Sequence, residues 1–245
     1  MGVTSPDEID LEAIAWTQGV RVYFKPLDGC EARIIGVGDT AIATVNSKGS
    51  PGRRRFSLAH ELGHWKHHRG QFMVCRSDEI GDFSNKASQA ERHADSYAAN
   101  LLMPRYLFLP SLRTFRKLDF EIIRKLSEIY GVSLTATAIR CISLGDEPAM
   151  VICHNHHGRR WFQKSSLIPD YWFPRKDLQA ESSALDILYG KTKSSSASQL
   201  RCVSAEAWFD NYRAPRYEVV EQTIKISDTE ILTLILFEDN DMLEE

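Results

Sequence analysis

The segment from Arg53 to His64 holds a histidine, a glutamate and a second histidine in the order His-Glu-x-x-His, and this motif constrains the chain more than any other feature. On a helix, His60 and His64 lie one turn apart on the same face, so both imidazoles can reach one metal ion. Glu61 lies beside them, where its carboxylate can take a proton from water. The pattern is typical of zinc hydrolases and predicts a helix that carries a metal site.

The residues around the motif also favour a helix. Ser50 is a good N-cap, Pro51 suits the first helical position, and Gly70 is the expected stop. Catalytic zinc usually takes three protein ligands plus water, so a third ligand is required. A longer form of the motif would place a third histidine at position 70, but that position is glycine and position 67 is histidine, so this class is disfavoured.

A later helix is the better source of the third ligand. The segment 87–104 has apolar residues at helical spacing, and Pro104 marks its expected end. Glu91 and Asp95 fall together on one border of the apolar face, whereas His93 falls on the opposite border. Glu91 is therefore the predicted third zinc ligand. Asp95, one turn further on, can accept a proton from the other ring nitrogen of a ligand histidine.

Two blocks together resemble the signature of the ImmA/IrrE family of metallo-endopeptidases. The first is Arg-Phe-Ser-Leu-Ala-His-Glu-Leu-Gly-His at 55–64, and the second is Glu-x-x-Ala-Asp-x-Tyr-Ala-x-x-Leu-Leu-Met-Pro at 91–104. A helix around 9–18 and a hairpin ending at 40–46 also fit the family. Two positions depart from its usual pattern, with Tyr97 in place of Phe and His93 where an acidic residue is frequent.

The resemblance implies a cytoplasmic peptidase from a bacterium or phage. It implies that His60, His64 and Glu91 bind Zn²⁺ and that Glu61 is the general base. The implied substrate is a helix-turn-helix transcriptional repressor, whose cleavage would derepress stress-response or mobile-element genes. Some family members carry a sensor-like domain towards the C-terminus, so the end of this chain is a candidate for one.

The predicted fold class is α+β, in three parts. Residues 1–110 form a zincin-like, gluzincin-type metallopeptidase domain. Residues 111–147 form a helical pair resembling a helix-turn-helix, because apolar periodicity from Leu118 to Ile129 is followed by Gly131 and by a capped helix from Ser133 to about Leu144. Residues 148–245 form a smaller mixed α+β domain. Its strands are predicted at 149–153, 159–163, 200–203, 219–226 and 231–237, with a polar loop at 191–198.

DNA binding is the main rival function. Basic residues accompany the helical pair, namely Arg113, Arg116, Lys117, Arg124 and Lys125, but the second helix offers only Arg140 and the net charge is −3. A regulator that binds a partner through a structural or vestigial zinc site is a further alternative. Residues 153–157 could hold a second metal, although a turn between two strands explains them more simply.

Composition excludes several other classes. No run approaches the roughly 18 apolar residues of a membrane span, and the polar, acidic N-terminus is unlike a secretory signal, so we expect a cytoplasmic protein without membrane contact. Five scattered cysteines predict free thiols. The strand 40–45 is a candidate edge on which an extended substrate could add.

Overall fold

The computed structural model describes residues 2–67, 73–76, 89–190 and 196–244, with backbone alone for 73–76. Within these ranges the chain forms seven α-helices and two β-sheets, which confirms the mixed α+β class. The chain divides into two compact units, unit 1 (Met1–Ser111 and Leu126–Thr137) and unit 2 (Leu112–Lys125 and Ala138–Glu245). The three-part division expected from sequence stays a prediction. Gly70 and residues 191–195 of the predicted polar loop lie outside the described residues.

Unit 1 combines a four-stranded sheet with helices. In chain order it contains α1 (Leu11–Thr17), β1 (Val20–Lys25), β2 (Cys30–Val37), β3 (Thr40–Asn46), α2 (Pro51–His67), β4 (Met73–Arg76), α3 (Gln89–Leu102) and most of α4 (Arg105–Arg113). The strand order is β1-β3-β2-β4, with β1 parallel to β3 and the other pairs antiparallel. The predicted first helix and hairpin are therefore confirmed.

The expectation that the strand at 40–45 forms an edge is wrong. Strand β3 pairs on one side with β1, from Val20↔Ala41 to Lys25↔Asn46, and on the other side with β2. Both rows of its backbone groups are thus occupied, and no further strand can add to it. The polar-apolar alternation of one strand shows which face is buried but does not determine its neighbours.

Helix α2 begins as the sequence predicts. The backbone N–H of Arg53 donates to the Ser50 hydroxyl at 3.3 Å, which satisfies one of the free donors of the first turn. Near its other end, Trp65 donates from Nε1 to the Gln18 carbonyl at 2.9 Å. The indole also lies against Gly36 of β2, where a Cβ would come within 2.2 Å of the ring. These contacts hold α2 on one face of the sheet.

Helices α2 and α3 pack closely because Gly63 has no side chain. A Cβ at this position would lie 2.9 Å from Ala94 Cα and 3.1 Å from the Ala94 carbonyl oxygen. Helix α3 ends at Leu102, just before Pro104, as predicted. Its fully buried apolar residues are Ala94, Ala98 and Leu102, whereas Ala90, Tyr97 and Leu101 are half-buried.

The two helices predicted beyond residue 117 are α5 (Phe120–Tyr130) and α6 (Leu134–Leu144), and each contributes residues to both units. Gly131 lies between them with φ +60°, a left-handed conformation that glycine adopts without strain. The Ser133 hydroxyl accepts a hydrogen bond from the Ala136 N–H at 3.2 Å, so Ser133 caps α6 as predicted. The existence of the helical pair is confirmed.

Unit 2 contains an antiparallel sheet of five strands. They are β5 (Ala149–Asn155), β6 (Gly158–Lys164), β7 (Arg201–Ser204), β8 (Glu218–Lys225) and β9 (Glu230–Leu236), in the order β6-β5-β9-β8-β7. All five strand predictions are confirmed to within a few residues. The short helix α7 (Ser183–Tyr189) was not predicted, and its Ala184 and Leu188 lie in the core of the unit.

A buried carboxylate fastens α7 to this sheet. Glu221 of β8 is fully buried. Its oxygens accept hydrogen bonds from the Ser182 hydroxyl at 2.7 Å, from the Ser183 N–H and hydroxyl at 2.8 Å each, and from Trp208 Nε1 at 2.8 Å. Because Ser182 is the N-cap of α7, the negative charge also lies at the favourable end of the helix.

Candidate metal centre

Side chains from α2 and α3 meet in a buried cluster. His60 Nε2 lies 3.0 Å from His64 Nε2 and 3.1 Å from Glu91 Oε2, and His64 Nε2 lies 3.3 Å from Glu91 Oε1. His60 and His64 are at most 1% exposed, and Glu91 is 8% exposed. Among the described residues, this is the one group of three or more histidine, cysteine and acidic side chains whose ligand atoms converge closely enough to hold a metal ion.

The donor set fits zinc. Two imidazole nitrogens and one carboxylate are ligands that catalytic zinc sites commonly use. Tetrahedral coordination with bonds of 2.0–2.1 Å places neighbouring ligand atoms about 3.3 Å apart. The three observed separations of 3.0, 3.1 and 3.3 Å are close to that spacing. Three protein donors also leave the fourth zinc position open.

Asp95 lies directly behind His60. Its Oδ1 is 2.8 Å from His60 Nδ1, and the carboxylate is 7% exposed. An N–H on Nδ1 that donates to this carboxylate leaves the lone pair of neutral His60 on Nε2, which faces His64 and Glu91. The distance thus fits the tautomer of a neutral His60 that presents the Nε2 lone pair to a cation.

Hydrogen bonds within the cluster favour a charged His60. Burial by itself would lower the pKa of His60, but hydrogen bonds to Asp95 and Glu91 outweigh burial and raise the pKa to about 9. Burial alone would raise the pKa of Glu91, but hydrogen bonds from His60 and His64 lower it to about 2. A positive charge on His60 and a negative charge on Glu91 attract each other, and a metal ion bound at this position would compete with the His60 proton.

Glu61 is also completely buried beside these residues. It follows His60 on α2, and its negative charge contributes to the raised pKa of His60. A glutamate that directly follows the first histidine of a His-Glu-x-x-His helix is the residue type that zinc hydrolases use for proton transfer.

The comparison with known families agrees with this geometry. Residues 15–141, more than half of the chain, match the family model described as Peptidase M78, IrrE N-terminal-like domain. The chain belongs to the M78 peptidase family. The resemblance drawn from the two sequence blocks is thereby confirmed, and the cluster of His60, His64 and Glu91 lies within the matched range.

One solved structure has a fold similar to that of this M78 family member. A protein described as a Mycobacterium tuberculosis transcriptional regulator superimposes with a TM-score of 0.61 at 13% sequence identity. The alignment covers 96% of this chain and 82% of that chain. At this identity the likeness shows the fold alone. No curated protein matches the chain significantly.

Several other candidate residues lie outside the cluster. His93 is exposed, and its ring centroid lies 6.4 Å from that of His67. Tyr97 is half-buried, and its hydroxyl accepts a hydrogen bond from Gln18 Nε2 at 3.3 Å. Residues 153–157 form the end of β5 and its turn into β6, as the simpler interpretation predicted. The four cysteines with described side chains, Cys30, Cys141, Cys153 and Cys202, are free thiols.

At least three of the five basic residues near the helical pair form ion pairs, and Arg116 and Arg124 are exposed. Arg113 pairs with Asp146 at 2.8 Å, Lys125 pairs with Glu121 at 2.7 Å, and Lys117 pairs with Glu238. Arg140, the basic residue on the second helix, is buried. In the described part of the chain, no helix has both the length and the apolar character needed to span a bilayer.

Sequence reasoning missed the contribution of Gly63. This residue occupies one of the two variable positions in the His-Glu-x-x-His motif, and its missing side chain lets Ala94 approach. Ala94 lies between Glu91 and Asp95 on the same helix, so the close contact at Gly63 occurs at the part of α3 that carries both carboxylates. The available signal was a glycine inside a predicted helix, where it costs about 1 kcal/mol relative to alanine and so suggests a packing role.

Proposed function

We propose that this protein is a zinc-dependent endopeptidase that hydrolyses a peptide bond in a regulatory protein. The observation that supports this most strongly is the convergence of His60, His64 and Glu91, whose ligand atoms all lie within 4.8 Å of one another. Membership of the M78 peptidase family points to the same chemistry.

In this proposal His60 and His64 hold the ion through Nε2, and Glu91 holds it through its carboxylate. Bound zinc would supply Lewis acidity, which lowers the pKa of a water molecule and polarises the scissile carbonyl. Glu61 accepts the proton of the attacking water and later delivers it to the leaving amine. Asp95 fixes the tautomer of His60 and increases its basicity.

The proposed substrate is a helix-turn-helix transcriptional repressor, and its cleavage would derepress stress-response or mobile-element genes. The resemblance of the two sequence blocks to the ImmA/IrrE signature supports this class of substrate. The fold likeness to a protein described as a transcriptional regulator is consistent with a regulatory role. Ion pairs at three basic residues near α5 and the burial of Arg140 on α6 weaken the case for the rival function of direct DNA binding.

Cleavage of a defined substrate tests the proposal. The purified, zinc-loaded protein is incubated with repressors encoded beside its gene, and fragments are identified by mass spectrometry. Two variants are compared, Glu61→Gln and Glu128→Gln, the second of which changes an exposed glutamate on α5. We expect discrete fragments from the wild type and from Glu128→Gln. Glu61→Gln should keep its zinc but cut at least about 100-fold more slowly.

Two results would contradict the proposal. One is a Glu61→Gln protein that cuts at the wild-type rate, because the proton-transfer role would then belong to another group. The other is a zinc-loaded wild type that leaves every neighbouring repressor intact, which would favour a partner-binding regulator with a vestigial site.

A further inference from the structure

One face of the first sheet presents an apolar surface to solvent. Ile35 of β2 and Ile42 of β3 are directly opposite each other in the register, and they are 43% and 48% exposed. Val37 lies two residues further along β2 and is 84% exposed, and Tyr23 of β1 is 42% exposed. We call the side of β1, β2 and β3 that carries these four residues the outer face. Because side chains alternate along each strand, the buried Ala32, Ile34, Ala41 and Ala43 belong to the opposite face.

Helices α1 and α2 pack on that opposite face. Trp65 of α2 contacts Gly36, a neighbour in sequence of the outward-facing Ile35, and donates to the Gln18 carbonyl at the end of α1. Arg54 of α2 lies over the ring of Phe24, the β1 residue next to the outward-facing Tyr23. The two helices that contact these strands therefore leave the outer face uncovered within the described part of unit 1.

Three exposed cations lie on the outer face. Arg21 and Lys25 flank Tyr23 along β1, and Arg33 follows the same alternation as Ile35 on β2; all three are exposed. Lys25 Nζ lies 5.3 Å from the centre of the Tyr23 ring, which confirms that both side chains are on the same side of the sheet. Glu31, at the start of β2, pairs with Arg53 of α2. An apolar centre between cations complements a partner that carries apolar and acidic residues together.

The shape of the surface distinguishes between two possible partners. A bilayer is bound by apolar side chains that protrude from a loop or helix. Here Ile35 and Ile42 are more than half covered within the sheet. Val37 protrudes, but it lies beside the hairpin turn that carries the exposed Asp39, whose carboxylate would be repelled by anionic lipid. Strands β2 and β3 are paired on both sides, so a strand cannot add to either of them, and Ile35 and Ile42 can be contacted only by a partner that packs across the face of the sheet. A helix lying across the sheet uses such a surface.

We propose that the outer face binds an amphipathic helix of a partner protein, with acidic residues bordering the apolar stripe of that helix. The stripe packs on Ile35 and Ile42, and the acidic residues pair with Arg21 and Arg33. This interaction needs no metal and does not depend on the proposed peptidase activity.

Two synthetic helical peptides test the proposal. Both carry the same stripe of leucines, bordered by glutamates in one and by lysines in the other. Each is labelled with a fluorophore and titrated with the full-length protein, and binding is followed by anisotropy. We expect the glutamate peptide to bind at least about tenfold more tightly than the lysine peptide, with an affinity that falls as salt is added.

Single substitutions locate the binding surface. Ile42→Thr removes apolar area but keeps a β-branched residue that suits a strand, and we expect it to weaken glutamate-peptide binding about tenfold. Ile129→Thr changes an isoleucine of α5 with similar exposure, 54%, and should leave binding unchanged. Arg33→Gln should weaken binding of the glutamate peptide and reduce its salt dependence. Far-UV circular dichroism and zinc content, measured for each variant, detect any loss of folding.

Three results would overturn the proposal. The first is equal binding of the two peptides, or binding of neither. The second is a folded Ile42→Thr protein with unchanged affinity for the glutamate peptide. The third is sedimentation of the protein with vesicles containing phosphatidylserine, because a lipid surface would then be the partner.

Discussion

Replacing Gly63 with alanine should impair the metal centre by forcing α2 and α3 apart. The added Cβ would lie 2.9 Å from Ala94 Cα. Since carbon atoms in contact prefer separations of about 3.5–4.0 Å, α3 has to shift by roughly 0.6–1.1 Å at this point. Zinc sites tolerate deviations of only about 0.2 Å in their bond lengths. Glu91 lies less than one turn before Ala94, so its carboxylate moves with the backbone.

The size of the effect follows from two opposing contributions. Alanine is favoured over glycine inside a helix by about 1 kcal/mol. Overpacking a close contact costs about 1–3 kcal/mol. The net change in the free energy of unfolding should therefore be small, between about 0 and 2 kcal/mol of destabilisation. Zinc affinity should fall more clearly, by about 10–100-fold, as is typical when the groups that orient zinc ligands are disturbed.

Competition with a chromogenic chelator measures the zinc affinity, and thermal unfolding of the same samples measures stability. Gly49→Ala is the matched control, because a Cβ at that position meets its nearest neighbour, Arg53 Cγ, at an ordinary 3.6 Å. We expect wild-type affinity for Gly49→Ala. If Gly63→Ala also kept wild-type affinity, the close approach of the two helices would not be what positions Glu91.

Three further predictions address the tautomer, the pH dependence and unit 2. Asp95→Asn should reduce zinc affinity about 10–100-fold in the chelator assay, whereas equal affinity would remove Asp95 from the site. The His60 pKa of about 9 lies above its unfolded value of 6.5, so protonated His60 stabilises the zinc-free protein below pH 6.5. This stabilisation is lost as the pH rises towards 9, and the unfolding temperature should fall over the same range. A rise in the unfolding temperature would contradict the assignment. Glu221→Ala leaves buried donors, including Trp208 Nε1, without their acceptor, so the free energy of unfolding measured with urea should fall by about 3 kcal/mol or more. The same change at the exposed Glu218 should have little effect.

Local patterns in the sequence predicted most of the elements. Helix α2 could be predicted because Ser50 and Pro51 are start signals whose effect depends on adjacent backbone alone. The strands of unit 2 were found for the same reason, since alternation and turn residues are local. Helix α7 was missed because its seven residues are too short for a clear period, and the carboxylate beside its N-cap comes from Glu221, 39 residues away along the chain.

The neighbours of each strand could not be predicted in this way. Strand β3 was expected at an edge, yet it is interior, because β1 pairs with it in parallel while β2 occupies its other side. Pairing of this kind depends on contacts between distant parts of the chain, which periodicity does not encode.

The candidate site was more predictable than the topology. Helical geometry alone places His60 and His64 one turn apart, and the angular positions of Glu91 and Asp95 on α3 favoured them over His93. The structure brings Glu91 within 3.1 Å of His60, and it leaves His93 exposed. The geometry of a single helix does not predict the distance between α2 and α3. At the site, the two helices are in close contact where Gly63 meets Ala94.

Anomalous diffraction from crystals of the zinc-loaded protein, recorded on both sides of the zinc absorption edge, tests the central claim most directly. We predict one strong peak within about 2.0–2.2 Å of His60 Nε2, His64 Nε2 and a carboxylate oxygen of Glu91. A peak at other residues, or the absence of a peak between α2 and α3 in zinc-loaded crystals, would contradict the account.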